Sequence, residues 1–230
     1  GLSATHILRE LDASLGRLQT DYLDVLLLHW PDPFAHPEEV LRAVNTAVQA
    51  GKVRYFGLSN HQGWEVCEYL WIGDRRGWPM VSVNEIPLSM LDRRYENDLP
   101  FYQRHEVGVL AYQPLCGGLL SDRHRQEAQD KSRESDDAIA GWSNQPDESQ
   151  RKVIIQLGEL ADSQKISLSQ LALAWTLRQP AVASVVLGAR TVEHLDSALE
   201  AVSWNPTTEV LSEIDRLAPG PIKPKPRFER

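Results

Sequence analysis

From Leu23 the chain reads Leu-Asp-Val-Leu-Leu-Leu and then stops at His29, Trp30 and Pro31. An apolar run without regular polar alternation, ended by a proline that has no N–H to give a ladder, suits a parallel strand covered by helices. The expectation is a strand over Leu23 to Leu28 buried on both faces, with His29 at its carboxyl end. Comparable short runs recur at Tyr55 to Leu58, Val81 to Val83, Gly108 to Ala111 and Val182 to Leu187. The early ones follow one another at roughly thirty-residue steps, the size of a strand plus its crossover helix, which implies parallel pairing throughout.

The intervening stretches carry helical spacing. Ser3 is a candidate N-cap for a helix bearing Ile7, Leu8, Leu11, Leu15 and Leu18. A second helix bears Val40, Leu41, Val44 and Val48 and stops at Gly51, and a third spans Trp64 to about Arg76 with Val66, Leu70 and Trp71 on its buried face. Tyr95 to His105 reads as a helix made irregular by Pro100. Beyond the fourth strand come helices containing Val153 to Ala161, then Leu171 to Leu177 capped by Ser167, then Val192 to Leu199 capped by Thr191, and last Thr208 to Leu217. Residues 121–150 are charged and poor in apolar side chains, so they read as a solvated insertion, and 219–230 as a loosely packed tail rich in proline and basic residues. The domain is therefore expected to occupy 1–218.

Strands each followed by a helix leave two architectures. A doubly wound open sheet carries a glycine-rich phosphate turn after a strand, and none stands here. An eight-stranded (β/α) barrel, a TIM barrel of ~250 residues, remains, incomplete by its first three strands. In such folds ligands bind at the carboxyl ends of the strands. His29 is accordingly a site candidate, with a histidine satisfied by a loop carbonyl as the plainer alternative.

Composition narrows the class further. With 24 basic against 32 acidic side chains the net charge is -8, which argues against a nucleic-acid binder. Two cysteines, Cys67 and Cys116, stand in unrelated contexts, so neither a disulfide framework nor a metal site is expected, and a reducing, cytoplasmic setting is the default. No run approaches the length of a membrane span. Gly1 stands inside a helical pattern, from which a longer parent protein is expected.

Four motifs stand in order at the ends of successive strands: Leu-His-Trp-Pro-Asp from Leu28, Gly-Lys-Val-Arg-Tyr-Phe-Gly-Leu-Ser-Asn from Gly51, Ala-Tyr-Gln-Pro-Leu from Ala111, and Leu-Gly-Ala-Arg from Leu187 to Arg190. Together they resemble the aldo-keto reductase family, in the branch that includes potassium-channel β subunits and bacterial broad-specificity reductases. The resemblance implies NADPH-dependent reduction of an aldehyde or ketone, a small carbonyl substrate, to an alcohol. His29 matches the family's catalytic histidine, a donor that orients the carbonyl, and Trp30 a wall of the substrate pocket. Ser59 and Asn60 match the pair that bonds the nicotinamide carboxamide, and Tyr112 the ring on which the nicotinamide stacks. Pro114, Leu115, Gly117, Gly118 and Leu119 match the loop around the pyrophosphate. Gly188 and Arg190 match the segment that meets the ribose 2′-phosphate, which favours NADP over NAD.

Departures from the family are equally specific. Glu85 stands where a glutamine usually pairs with the carboxamide, and a carboxylate accepts hydrogen bonds without donating them. Leu88 replaces a common tyrosine, His194 a glutamine or arginine, and Ser197 and Ala198 a Glu-Asn pair at the adenine. None of the six tyrosines stands in the motif of the family's proton donor, and the supporting lysine and aspartate are likewise unmatched. Two function classes follow: an oxidoreductase of which this chain is a fragment inactive by itself, or a truncated relative that binds a nucleotide or a partner without catalysis.

Overall fold

The computed structural model describes residues 1–122, 146–189 and 191–221. Among these residues five parallel strands follow one another in chain order, β1 (Leu23–Leu28), β2 (Val53–Ser59), β3 (Val81–Pro87), β4 (Gly108–Tyr112) and β5 (Val182–Val186). With the eight α-helices among the described residues, this is part of a (β/α)8 barrel. The chain divides into two compact units, Gly1–Ile86 with Asp98–Leu110, and Pro87–Asn97 with Ala111–Arg230. No described helix is long and apolar enough to cross a membrane.

In the first unit, α1 (Ala4–Leu18) buries Ile7, Leu11 and Leu15, one residue per turn of a single face. Ser3 occupies the expected N-cap position with extended backbone but makes no side-chain cap; the Ala4 amide donates instead to Glu39 Oε1 at 2.9 Å. The helix α2 (Pro37–Gln49) begins with proline in its first turn and is stopped by Gly51 in the left-handed region. Leu11, Leu15, Ala47 and Val53 form a buried cluster on which Leu23 and Leu26 of β1 rest.

Strand β1 is a correction to the sequence reading. Among the described residues it pairs only with β2, and Asp24 and Val25 are exposed while Leu28 is buried. The α1–α2 cluster covers part of the strand, so its apolar run reflects a fold in which that surface is half covered, not enclosed on both faces. Strand β3 also differs, running through to Pro87 instead of ending at Val83. Asn84 and Glu85 are thus strand residues, paired with Leu58 and Ser59.

The helix α3 (Gly63–Arg76) starts at a capping box in which the Gln62 amide donates to Glu65 Oε2 at 2.7 Å, and Gly77 ends it. Trp71, expected on the buried face, is 57% exposed, with the Arg75 guanidinium 4.9 Å from its ring centre. Val66, Tyr69, Leu70 and Gly73 define the buried arc, and one residue's rotation beyond Leu70 carries Trp71 out of it. A short 3₁₀ turn, Glu96–Asp98, leads into α4 (Leu99–Arg104), the irregular start that Pro100 predicts.

The second unit holds α5 (Glu148–Ser163), α6 (Leu168–Leu177), α7 (Val192–Ser203) and α8 (Thr208–Leu217). Ser167 and Thr191 cap as expected, accepting from the amides of Gln170 and His194. Trp175 is almost fully buried on α6. Above its ring, 5.0 Å from the centre, lies the guanidinium of Arg93, which also bonds both oxygens of Glu96, Asp215 Oδ1 and the Ala218 carbonyl at 2.6 to 2.7 Å. Burial disfavours the charge on Arg93, but these acidic partners outweigh it and raise the pKa. On α7, Val192, Leu195 and Leu199 are exposed. Most of the predicted insertion and most of the predicted tail lie outside the described residues.

Candidate active site at the carboxyl ends of the strands

Three strand ends of the first unit meet at Asn60. Its φ of 64° lies in the left-handed region, which asparagine tolerates better than most residues and which turns the chain sharply after β2. Its backbone N–H continues the ladder by donating to the Glu85 carbonyl at 2.8 Å. Its side-chain Nδ2 donates to the His29 carbonyl at 3.1 Å and to Ser59 Oγ at 3.0 Å. One residue therefore ties the three strand ends together, β1 and β2 through its side chain and β3 through its backbone N–H.

Ser59 is buried, and its hydroxyl lies 3.1 Å from Glu85 Oε2 and 3.2 Å from the Glu85 carbonyl. Neither Ser59 nor Asn60 caps α3, because Gln62 holds that position. The polar pair is instead part of a buried network across strand ends. Behind it, His61 Nδ1 lies 2.9 Å from the Ser59 carbonyl, and the His61 carbonyl accepts from Asn84 Nδ2 and the Tyr102 hydroxyl. Burial lowers the pKa of His61 and so favours the neutral ring, against an opposing hydrogen bond to Ser59. No periodicity or motif pointed to His61.

His29 follows β1 directly and is exposed, its ring centre 5.9 Å from that of Trp30. Both line a cleft of about 570 Å³ bounded by α1 and by residues Leu26 to Phe34. At its rim the Asp32 carboxylate accepts from the amides of Leu2 and Phe34, at 2.7 and 3.0 Å, which holds its pKa below the usual range. The imidazole of His29 is thus free to meet a ligand from solvent, while its own carbonyl is anchored by Asn60.

In the second unit Tyr112 ends β4, half-buried, and its carbonyl accepts from the Leu88 amide at 3.2 Å. The loop after it is built from left-handed residues, Gln113, Cys116, Gly117 and Gly118. The amides of Cys116, Gly118, Leu119 and Leu120 bond to carbonyls within the loop, so these turns are self-supporting. Pro114 and Leu119 are buried and anchor the loop, while Leu115, Gly117 and Gly118 are half-exposed. Burial pushes the Cys116 thiol up, making it a poor nucleophile despite its place beside the glycines. Gly188 follows β5 with open space where a Cβ would be, and His194 lies exposed in the first turn of α7. Arg190 lies outside the described residues.

The donor set can be tested against a nicotinamide carboxamide, which offers one N–H₂ and one carbonyl. Glu85 accepts from Ser59 through Oε2, and among the described residues its other oxygen is left to accept from an amide N–H₂. The Ser59 hydroxyl can rotate from the carboxylate to a ligand carbonyl. Acceptor and donor are thus both present, side by side. Among the described residues no cluster of three or more His, Cys, Asp or Glu is placed to hold a metal ion.

Residues 1–219 match the protein-family model described as the aldo/keto reductase family. The chain is 33% identical over 224 residues to a putative voltage-gated potassium channel subunit beta of Schizosaccharomyces pombe, covering 94% of this chain and 65% of that protein. It is 31% identical over 223 residues to the uncharacterized oxidoreductase YrpG of Bacillus subtilis, covering 96% and 66%, and 33% identical over 220 residues to versiconal hemiacetal acetate reductase of Aspergillus parasiticus, covering 94% and 62%. It thus spans slightly under two thirds of the length of each of these relatives.

Proposed function

The chain belongs to the aldo/keto reductase family, and from that premise we propose that it carries the cofactor-binding side of an oxidoreductase that reduces a small aldehyde or ketone with NADPH. The observation that carries this reading is the Asn60-centred network, which brings the His29 backbone, the Ser59 hydroxyl and the Glu85 carboxylate together at the carboxyl ends of three parallel strands. Ser59 and Glu85 would hold the nicotinamide carboxamide, and Asn60 would hold them in place. Tyr112 would lie against the nicotinamide ring, the Pro114 to Leu119 loop would border the pyrophosphate, and Gly188, Arg190 and His194 the adenosine end. NADPH supplies the hydride when bound.

Reduction of a carbonyl builds negative charge on its oxygen, so a donor aimed at that oxygen lowers the barrier. His29, exposed in the cleft with Trp30 beside it, is the residue proposed to give that hydrogen bond. No residue of this chain is assigned as the proton donor. Loss of a positioned general acid costs about 10²–10⁴-fold in rate, so the 230-residue chain by itself is expected to turn over a reactive aldehyde at background level.

Binding tests this reading directly. In fluorescence-quenching titrations the chain is expected to bind NADPH more tightly than NADH, and Arg190→Ala to remove most of the difference, since a charge-assisted contact is worth roughly 1.5–3 kcal/mol. Equal affinities for both cofactors in both proteins would remove the assignment of Arg190. Absence of binding by either would remove the proposed site.

A further inference from the structure

We propose that Glu85 makes the nicotinamide end of this site selective for the oxidised cofactor, favouring the cationic ring of NADP⁺ over the neutral ring of NADPH. The inference rests on the reading of Ser59 and Glu85 as the carboxamide site and goes one step beyond it. Glu85 is half-buried on β3, held between Ser59 and the amide of Asn60, and its side chain accepts a hydrogen bond from a buried hydroxyl. A carboxylate so held keeps its position, and its charge is screened less than one in open solvent.

The two redox states of the cofactor differ at the nicotinamide by one unit of positive charge, and the rest of the molecule is the same in both. A neutral amide at position 85 would contact the carboxamide of either form and distinguish little between them. A fixed carboxylate attracts only the charged ring. Before a ligand enters, the Ser59 hydroxyl donates to Oε2 and holds the carboxylate at the strand ends; once that hydroxyl turns to the carboxamide carbonyl, the carboxamide N–H₂ donates to Glu85 in its place and keeps the charge beside the ring. Among the described residues Glu85 makes no ion pair: its hydrogen-bond partners are the Ser59 hydroxyl and the Asn60 amide, both neutral. The charge of Glu85 is therefore not cancelled by an ion pair with its bonded neighbours.

A charge contact in a partly solvated site is worth on the order of tenfold in a binding ratio. The test measures dissociation constants of NADP⁺ and NADPH for the 230-residue chain and for Glu85→Gln, NADPH by its fluorescence and NADP⁺ by competition. The ratio of the NADPH constant to the NADP⁺ constant is expected to fall about tenfold in Glu85→Gln, with most of the change in the NADP⁺ constant. Glu85→Asp, which keeps the charge on a shorter stem, is expected to keep more of the ratio than the glutamine variant. Both forms binding with a ratio unchanged by either substitution would overturn this inference and leave the proposed site standing. Failure of both forms to bind the unaltered chain would overturn the site itself and this inference with it.

Discussion

The imidazole of His61 is almost wholly buried, 2.9 Å from the Ser59 carbonyl through Nδ1 and edge-on to Tyr69, with ring centres 5.7 Å apart. Burial is the main cause of its lowered pKa, and the Ser59 hydrogen bond and the charge of Glu65 oppose it. An unfolded histidine titrates near pH ~6.5. Above that value both states are neutral and His61 adds no pH dependence. As the pH falls below it, the unfolded chain binds a proton that the folded chain refuses, so stability is lost until the pH passes the folded value. The melting temperature is expected to drop between pH 7 and pH 5, and His61→Gln is expected to flatten part of that slope. Parallel slopes in the two proteins would show that His61 takes no part in the acid sensitivity.

Where β1, β2 and β3 run side by side, Gly57 leaves no room for a side chain. A Cβ there would lie 2.4 Å from Val83 Cγ2, 2.8 Å from Leu27 Cδ2 and 2.8 Å from the Val83 carbonyl oxygen. A rotamer change can move the first two atoms, but the third is backbone in the adjacent strand. Gly57→Ala is expected to destabilise the chain by about 2–3 kcal/mol in urea denaturation. Adding Val83→Ala, which removes Cγ2 but leaves the carbonyl, should recover only part of that. A loss within about 0.5 kcal/mol would mean that the strands separate at little cost.

The same elements show which features can be read from residue pattern. Apolar runs located all five strands, and Ser167, Thr191 and Gly51 marked helix ends, because these signals are local. The end of β3 was missed because Asn84 and Glu85 are polar, and their acceptance inside a strand depends on Tyr102, His61 and Ser59, which are distant in sequence. His29 was legible as a site candidate because it follows an apolar run, and Ser59 and Asn60 through the resemblance of their motif to that of the family. Their linkage through the Asn60 side chain was not, since left-handed backbone at Asn60 sets it. Arg93 was missed altogether: it sits in a charged stretch, and its partner Asp215 lies 122 residues away.

At the scale of the whole chain, the outer edge of β1 bears on behaviour in solution. Among the described residues the strand pairs on one side only, and exposed Val25 lies along it. An apolar strand with unpaired backbone groups is a template for another chain. Two features oppose that pairing: Asp24 is exposed and held to Arg54 at 2.9 Å, which places charge on the strand, and the net charge of -8 repels copies. Both are electrostatic, and salt weakens both, since the Debye length falls from about 10 Å at 0.1 M to about 3 Å at 1 M. Backbone hydrogen bonds and apolar contact between edges are not weakened in that way. The 230-residue chain is therefore expected to associate in sedimentation velocity experiments, more at 1 M than at 0.1 M salt, whereas association through ion pairs would decline. Val25→Lys, which puts a charge on the exposed edge, is expected to reduce association without lowering the melting temperature, because Val25 is already 42% exposed. A monomer at both salt concentrations would show that the edge is protected, and association unchanged by Val25→Lys would place the contact elsewhere on the chain.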